Sequence, residues 1–441
     1  MKAAFHTLGC KVNSYETQSV LEQFQSADFE VVDFSDEADV YIVNTCSVTK
    51  EASRKSRQIL HRSKKINPKA ITVAIGCYAQ EDKEGLVKDP KVDIVIGNNE
   101  KSKTLDLVLD LLEKRKIKNL KFGISLVDDL THCTDFENQT ITNQEGHVRA
   151  YVKIQDGCNR FCSYCIIPFL RGRSRSRKEE DIVAEIKTLA QNGYKEIVLT
   201  GIDISMYGLD FENNQDGADI NIVKLVEKIN AIDGIERIRF GSLEVSLITK
   251  DFVDRLSKLD KVCPHFHLSL QSGSDSVLRR MNRKYNKQEY LDSVYLLRKY
   301  FDRPAITTDI IVGFPEESEE EFSETLDFVK KIGFAQIHVF PYSRRKGTKA
   351  DSMKGQLSHA QKSKRVGQLI EVAKLLQKEY INQFLDSKVR ILVEEEINDG
   401  ETFQIGFTPH YIKVSVKSEE SLINQIIDVT LEEKNILAFS E

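Results

Sequence analysis

The chain has no apolar run reaching the ~18 residues of a transmembrane helix. Its opening Met-Lys-Ala-Ala-Phe-His lacks the apolar stretch of a secretory signal. These two absences argue against membrane insertion or export, so the expected location is the cytoplasm, with no membrane partner. A general basic excess is missing too: 63 Lys and Arg face 68 Asp and Glu, a net charge of -5. In a chain of this kind, eight cysteines argue for metal binding or catalysis over disulfides. No further Cys or His follows Cys165 within zinc-finger distance, which argues against a closed structural zinc site. What remains is an ordinary balance, 40% hydrophobic and 30% charged over 441 residues, enough for two or three domains.

The most informative stretch is Asp156-Gly-Cys-Asn-Arg-Phe-Cys-Ser-Tyr-Cys165. Cys158, Cys162 and Cys165 can hold three irons of a four-iron, four-sulfur cube. Such cubes normally take four cysteines, so three leave one iron open for a substrate or cofactor.

In the N-terminal third, residues 3–8, 31–33, 40–44, 71–75 and 93–96 read as strands, with helical patterns at 13–26 and 48–66. This alternation predicts a doubly wound parallel sheet. Cys10, Cys46 and Cys77 each follow a predicted strand, at the carboxyl edge where open α/β sheets bind ligands. One sheet edge can therefore gather a second set of three thiolates. Three isolated buried thiols are the alternative. Cys133 and Cys263 have no partner at ligand spacing and read as structural or incidental.

A polar stretch, 122–147, reads as a linker. Strands are predicted at 150–155, 196–200, 236–240, 266–270, 306–312 and 336–340, with helical patterns between them. Six β/α units predict an incomplete parallel barrel. Functional residues of barrels gather at the carboxyl ends of strands. The triple-Cys loop, Thr200-Gly201, Glu244, Gln271 and Gly313 all fall at such ends.

Basicity is local. Residues 50–69 and 149–178 each hold eight Lys or Arg and one acid. Within the second run, Arg171, Arg173, Arg175 and Arg177 alternate, so an extended segment would present their charges on one side to phosphates. Beyond a helical stretch at 358–386, residues 387–441 alternate as in Val389, Ile391 and Val393, which predicts a small β-barrel. That segment is acidic, with five Lys or Arg against eleven Asp or Glu. RNA contact there would have to be local, through Lys388, Arg390, His410, Tyr411 and Lys413.

Across nearly its whole length the sequence resembles the radical S-adenosylmethionine (SAM) methylthiotransferases. The matching residues are Leu8-Gly-Cys-Lys-Val-Asn13, Asn44-Thr-Cys-Ser-Val-Thr49, Gly76-Cys-Tyr-Ala-Gln80, Gly157 to Cys165, His267 to Gly273 and Asp309 to Pro315. The resemblance implies a methylthiotransferase domain at 1–121, a linker at 122–147, a radical-SAM core at 148–386 and a TRAM domain at 387–441. It implies two [4Fe-4S] clusters, on Cys10, Cys46 and Cys77 and on Cys158, Cys162 and Cys165. SAM, as methyl donor and radical source, would contact Tyr164, Thr200, Gly201, Glu244, Gln271 and Gly313. Substrate contacts would fall to Arg171, Arg173, Arg175, Lys388, Arg390 and Lys413. Gly9-Cys-Lys-Val-Asn13 followed by Tyr15-Glu-Thr17 is similar to the MtaB branch, which methylthiolates N6-threonylcarbamoyladenosine (t6A) 3′ of the tRNA anticodon. Alternatives are the MiaB branch, acting on isopentenyladenosine, and the RimO branch, acting on a ribosomal-protein aspartate. A sulfur source and an electron donor such as flavodoxin or ferredoxin are implied partners.

Overall fold

A computed structural model describes residues 1–117, 123–211, 221–398 and 400–437. Its N-terminal strands are β1 (Lys2–Thr7), β2 (Glu30–Val32), β3 (Val40–Thr45), β4 (Ile71–Gly76), β5 (Ile94–Ile96) and β6 (Ile124–Leu126). They pair in parallel in the order β2-β1-β3-β4-β5-β6. Side chains alternate across a strand, so both faces of this sheet are apolar. Val40, Ile42, Ile71, Val73 and Ile75 join one core, whereas Tyr41, Val43 and Ala74 join the other. Helices α1 (Lys11–Ser26), α2 (Lys50–Ile66), α3 (Cys77–Glu81), α4 (Lys83–Val87) and α5 (Thr104–Ile117) complete this unit. Val20 and Phe24 of α1 and Val108 and Leu111 of α5 enter the first core; Leu60 of α2 enters the second. The expected boundary between residues 121 and 122 lies outside the described residues. The expected linker is not wholly irregular: β6 extends the sheet, with Ile94 opposite Ile124.

The central strands are β7 (Arg149–Lys153), β8 (Gln155–Asp156), β9 (Arg175–Ser176), β10 (Glu196–Thr200), β11 (Arg237–Phe240), β12 (Ser242–Leu243), β13 (His265–Leu268), β14 (Ala305–Val312) and β15 (Gln336–Pro341). Intervening helices are α6 (Ile167–Arg171), α7 (Glu179–Gln191), α8 (Asn221–Asn230), α9 (Lys250–Leu256), α10 (Asp275–Arg280), α11 (Lys287–Tyr300) and α12 (Glu319–Ile332). Two parallel sheets, β11-β10-β7 and β12-β13-β14-β15, meet where Gly241 alone separates β11 from β12. Together they form the expected open barrel. β8 and β9 stand apart as a short antiparallel pair, with Asp156 opposite Arg175. The arginine-rich run is thereby folded back onto the start of the cysteine loop.

Helix α13 (His359–Asn382) leads into β16 (Lys388–Asn398), β17 (Thr402–Phe407), β18 (Lys413–Lys417) and β19 (Ile426–Thr430). These form a curled antiparallel sheet in the order β18-β17-β16-β19, with a bulge between Val393 and Glu395. Ile391, Val393, Ile412 and Val414 pack against Tyr380 and Phe384 at and just beyond the end of α13. Barrel arginines hold this unit through its backbone: Arg237 donates to the Phe407 and Arg390 carbonyls, both at 2.9 Å, and Arg239 to Pro409 at 3.0 Å.

Candidate functional site

β1, β3 and β4 are neighbours in the sheet, and neighbouring strands lie about 4.8 Å apart. Their carboxyl ends therefore bring Cys10, Cys46 and Cys77 to one edge. Side chains tie the three loops together. Asn13 donates to the Leu8 carbonyl at 2.7 Å and the Thr45 carbonyl at 3.1 Å. The Thr45 hydroxyl accepts from the Tyr78 and Ala79 amides, each at 3.1 Å. Gly9, at φ +109°, is the hinge: a Cβ there would lie 3.1 Å from Cys46 Sγ. Burial pushes the Cys46 thiol up to about 11 and raises Cys10 as well, with Arg171 opposing the rise in Cys10.

Cys158, Cys162 and Cys165 lie in the loop after β8. Gly157 is required at its start, because its φ is +71° and a Cβ would lie 1.9 Å from the Arg173 carbonyl. A turn after α10 pins the loop from the other side. The Ser163 amide donates to Met281 at 2.9 Å and Asn282 Nδ2 to the Phe161 carbonyl at 2.9 Å. Arg283 Nη1 reaches Cys162 Sγ at 3.2 Å, while its Nη2 grips the Glu244 carboxylate. Burial pushes the Cys158 and Cys165 thiols up to about 12.

The two triplets are mechanically joined. Ile166 and Leu170, beside and within α6, pack on Cys77. Asn98 Nδ2 donates to the Leu170 carbonyl at 3.0 Å and lies 3.7 Å from Cys77 Sγ. Behind them is a buried ionic network. Glu16 meets Lys101 at 2.8 Å, Lys153 at 2.7 Å and Arg171 at 3.0 Å. Arg171 also meets Asp156 at 3.0 Å and Asn13 Oδ1 at 2.8 Å. Glu16 and Asp156 are held as carboxylates, well below their usual range, because Arg171 and the lysines outweigh burial. Arg175 adds a fourth cation, 4.0 Å from Asp156.

This placement corrects the reading of the arginine run as a phosphate-binding face. Arg171 is 0% exposed and Arg175 1%, both committed to the interior. Arg173 alone of the three is exposed, with its guanidinium 4.5 Å from the Phe161 ring centroid. Arg175, Ser176 and Arg177, in and just after β9, are all buried.

A cavity of about 700 Å³ opens between the three units. Its wall includes Cys10 and Lys11 from the first, Thr200, Gly201, Ser242, His267 and Asp309 from the barrel, and Phe407, Tyr411 and Lys413 from the last. Tyr411 stacks between His265 and Phe407, with ring centroids 4.9 Å from each. A groove of about 1130 Å³ is lined by Lys50, Arg54, Arg57, Arg345 and Lys346 and by Glu51, Asp82 and Glu81, which pair with the three arginines.

The other expected contacts divide. Thr200 and Gly201 reach the cavity. Glu244 is engaged by Arg283, and the Tyr164 ring packs with Val277, Met281, Phe314 and Tyr342. Gln271, at φ +69°, bridges to β14: its amide donates to the Asp309 carbonyl at 2.9 Å. Gly313 donates its amide to Glu317 at 2.6 Å and lies against Lys362 of α13. Lys388 is exposed, Arg390 pairs with Glu236 at 2.9 Å, and Lys413 lines the cavity. Cys263 is buried, and Cys133 accepts from Asn99 at 3.3 Å. Sequence reasoning missed Arg283, Arg149, Arg239 and the histidines of the cavity. These come from separate strands and turns with no shared spacing.

Residues 152–329 match the Radical SAM superfamily, and residues 2–97 match the uncharacterized protein family UPF0004. The chain is 40% identical to the threonylcarbamoyladenosine tRNA methylthiotransferase MtaB of Bacillus subtilis, over 97% of this chain and 93% of that one. The enzyme of the same name from Aquifex aeolicus is 41% identical over 90% and 93%. A tRNA-2-methylthio-N(6)-dimethylallyladenosine synthase of Finegoldia magna is 34% identical over 98% and 92%. The radical SAM methyltransferase TsrM from Kitasatospora setae shares the fold, with a TM-score of 0.57 at 14% identity over 79% of this chain and 77% of that one. Sequence, cysteine placement and barrel agree, and the chain belongs to the radical-SAM methylthiotransferase family.

Proposed function

We propose that this chain is the tRNA methylthiotransferase that converts t6A, 3′ of the anticodon, to its 2-methylthio derivative. The observation that carries the reading is the shared cavity: its wall runs from Cys10 of one triplet to the barrel mouth, where the SAM-side residues Thr200 and Gly201 stand. A base in it would lie beside Cys10, with Thr200 and Gly201 on the barrel side.

The residues fit two cubane clusters. Among the described residues, the set of three candidate ligand atoms drawn within 4.8 Å is His267, Asp309 and His338. Each cysteine triplet is spread more widely than one tetrahedral ion would draw it. Beside the first triplet, the buried network places Lys101, Lys153, Arg171 and Arg175 against only Glu16 and Asp156. Arg171 Nε and Arg175 Nε and Nη2 make no hydrogen bond there. Surplus buried positive charge suits an anionic thiolate-bound cluster. Cys10, Cys46 and Cys77 would hold the auxiliary cluster, and Cys158, Cys162 and Cys165 the SAM-binding cluster.

C2–H of an adenine is too strong for side-chain acid–base chemistry, so SAM and the clusters supply the methyl group, the radical and the sulfur. The protein positions and excludes. Arg283 orients Cys162 and Glu244 together. The Tyr411, Phe407 and His265 rings form an aromatic wall beside which a base can lie once it leaves the loop stack. The groove in which five Lys and Arg face three acids is the path assigned to the phosphate backbone, with Lys50 and Lys346 its cations outside those ion pairs. No described helix is long and apolar enough to cross a membrane. A cytoplasmic location, a flavodoxin- or ferredoxin-type reductant and a separate sulfur source complete the proposal. Mass spectrometry of tRNA nucleosides from cells with and without the protein tests it. Loss of 2-methylthio-t6A on deletion is expected; unchanged t6A methylthiolation would refute it.

A further inference from the structure

Four cations line the cavity: Lys11, Arg149, Arg239 and Lys413. Three are already matched. Arg149 meets Glu394 at 2.8 Å, Arg239 meets Glu196 at 2.7 Å, and Lys413 lies 3.7 Å from Glu395. Lys11 has no hydrogen-bond or ion-pair partner among the described residues. Asp309, the one carboxylate of the described lining, is turned to His267 Nε2 at 3.4 Å. The Lys11 side chain is exposed and lines the cavity alongside Arg149, Arg239 and Tyr411. It adjoins Cys10, so a group held by Lys11 lies one residue from the first triplet.

A neutral alkyl substituent on N6 of the base would leave this cation without a counter-ion. A carboxylate would match it, and a site built around a charged partner strongly rejects an analogue lacking that partner. We infer that Lys11 is the specificity-determining residue, binding the carboxylate of the threonylcarbamoyl group on the substrate adenine. This rests on the t6A reading above.

The test measures affinities of the cluster-loaded protein for anticodon stem–loop RNAs bearing t6A, its methyl ester or plain adenosine at the target position. Wild type should bind the acid about tenfold or more tighter than the ester, as a charged hydrogen bond gives. K11Q should bind acid and ester within about twofold of each other, with affinity for plain adenosine unchanged. K11R, keeping the charge, should keep part of the preference. Iron content of each variant reports whether the neighbouring cluster is intact. K11Q that keeps the full preference overturns the inference alone. So does K11Q that weakens all three RNAs equally, which would make Lys11 a phosphate or cluster counter-charge. If K11Q loses iron, an iron-replete K11R with no preference for the acid overturns it equally. Wild type that neither prefers nor methylthiolates the t6A loop removes the functional reading and the inference with it.

Discussion

Arg171→Ala tests the buried network that joins the two cysteine sites. The guanidinium contacts Asn13, both oxygens of Glu16 and both oxygens of Asp156, at 2.8 to 3.1 Å. It is 0% exposed, so water cannot take its place without opening the interface. Removing one partner of a buried charge cluster costs about 3–5 kcal/mol. Lys101, Lys153 and Arg175 still face the two carboxylates, which favours the lower end of that range. With a urea slope of about 3 kcal/mol per molar, the unfolding midpoint should fall by about 1 M. The chain has no Trp, so far-UV circular dichroism is the suitable probe. Arg173→Ala is the control, because that side chain is exposed; its effect should stay within about 0.5 kcal/mol. An unchanged midpoint in Arg171→Ala, with tRNA binding weakened and its salt dependence flattened, would show that the guanidinium meets phosphate after all.

Replacing Cys158, Cys162 and Cys165 together with Ala should leave about half of the roughly eight irons per chain, read by iron and sulfide analysis; loss of all iron from a folded variant would contradict two independent sites. Arg283→Met removes the contacts to Cys162 and Glu244, and SAM cleavage should fall at least tenfold while iron bound by the first triplet persists. Normal SAM cleavage in that variant would deny Arg283 a positioning role. Changing Arg54, Arg57 and Lys346 together to Gln should weaken tRNA binding and reduce the log–log salt slope by up to about 3, with SAM affinity unaltered; an unaltered slope would move the RNA path elsewhere. His410, held near pKa 4 by burial against an ordinary 6.5, is neutral in the fold. Its contribution is complete above pH 6.5 and lost as pH falls through 4, at most about 3 kcal/mol, and His410→Gln should flatten that part of the apo-protein's acid unfolding profile. An identical profile in the variant would assign the acid sensitivity to other groups.

Strand positions were legible where burial wrote them into the sequence. Continuous apolar runs such as Ile71-Thr-Val-Ala-Ile-Gly76 announce a strand covered on both faces, and the cysteines that follow mark its functional edge. The short β6 was hidden in a polar stretch because an edge strand of three residues has little periodicity. The arginine run misled for a different reason. Alternation says that Arg171, Arg173 and Arg175 share a side only if the segment is extended, and α6 ends at Arg171. The carboxylates that draw them inward, Glu16 and Asp156, lie 155 and 15 residues away. Ion pairs of such range leave no local signature. Arg283 and the cavity histidines were illegible likewise, because each depends on which turn faces which strand end.

The order in which the network's members are synthesised has its own consequence. Lys101 emerges 85 residues after Glu16, Lys153 137 residues after it, and Arg171 155 residues after it. At about 5–20 residues per second, translation takes about 8–30 s to deliver the last partner. Throughout that interval the nascent first domain carries a carboxylate destined for burial with at most part of its counter-charge, and Cys77 lacks the cover of Ile166 and Leu170. The first cysteine pocket is thus sealed late, by the second domain arriving behind it. A cluster assembled on Cys10, Cys46 and Cys77 before that moment would sit at an edge not yet covered by Ile166 and Leu170, so chain order bears on when the site can be loaded.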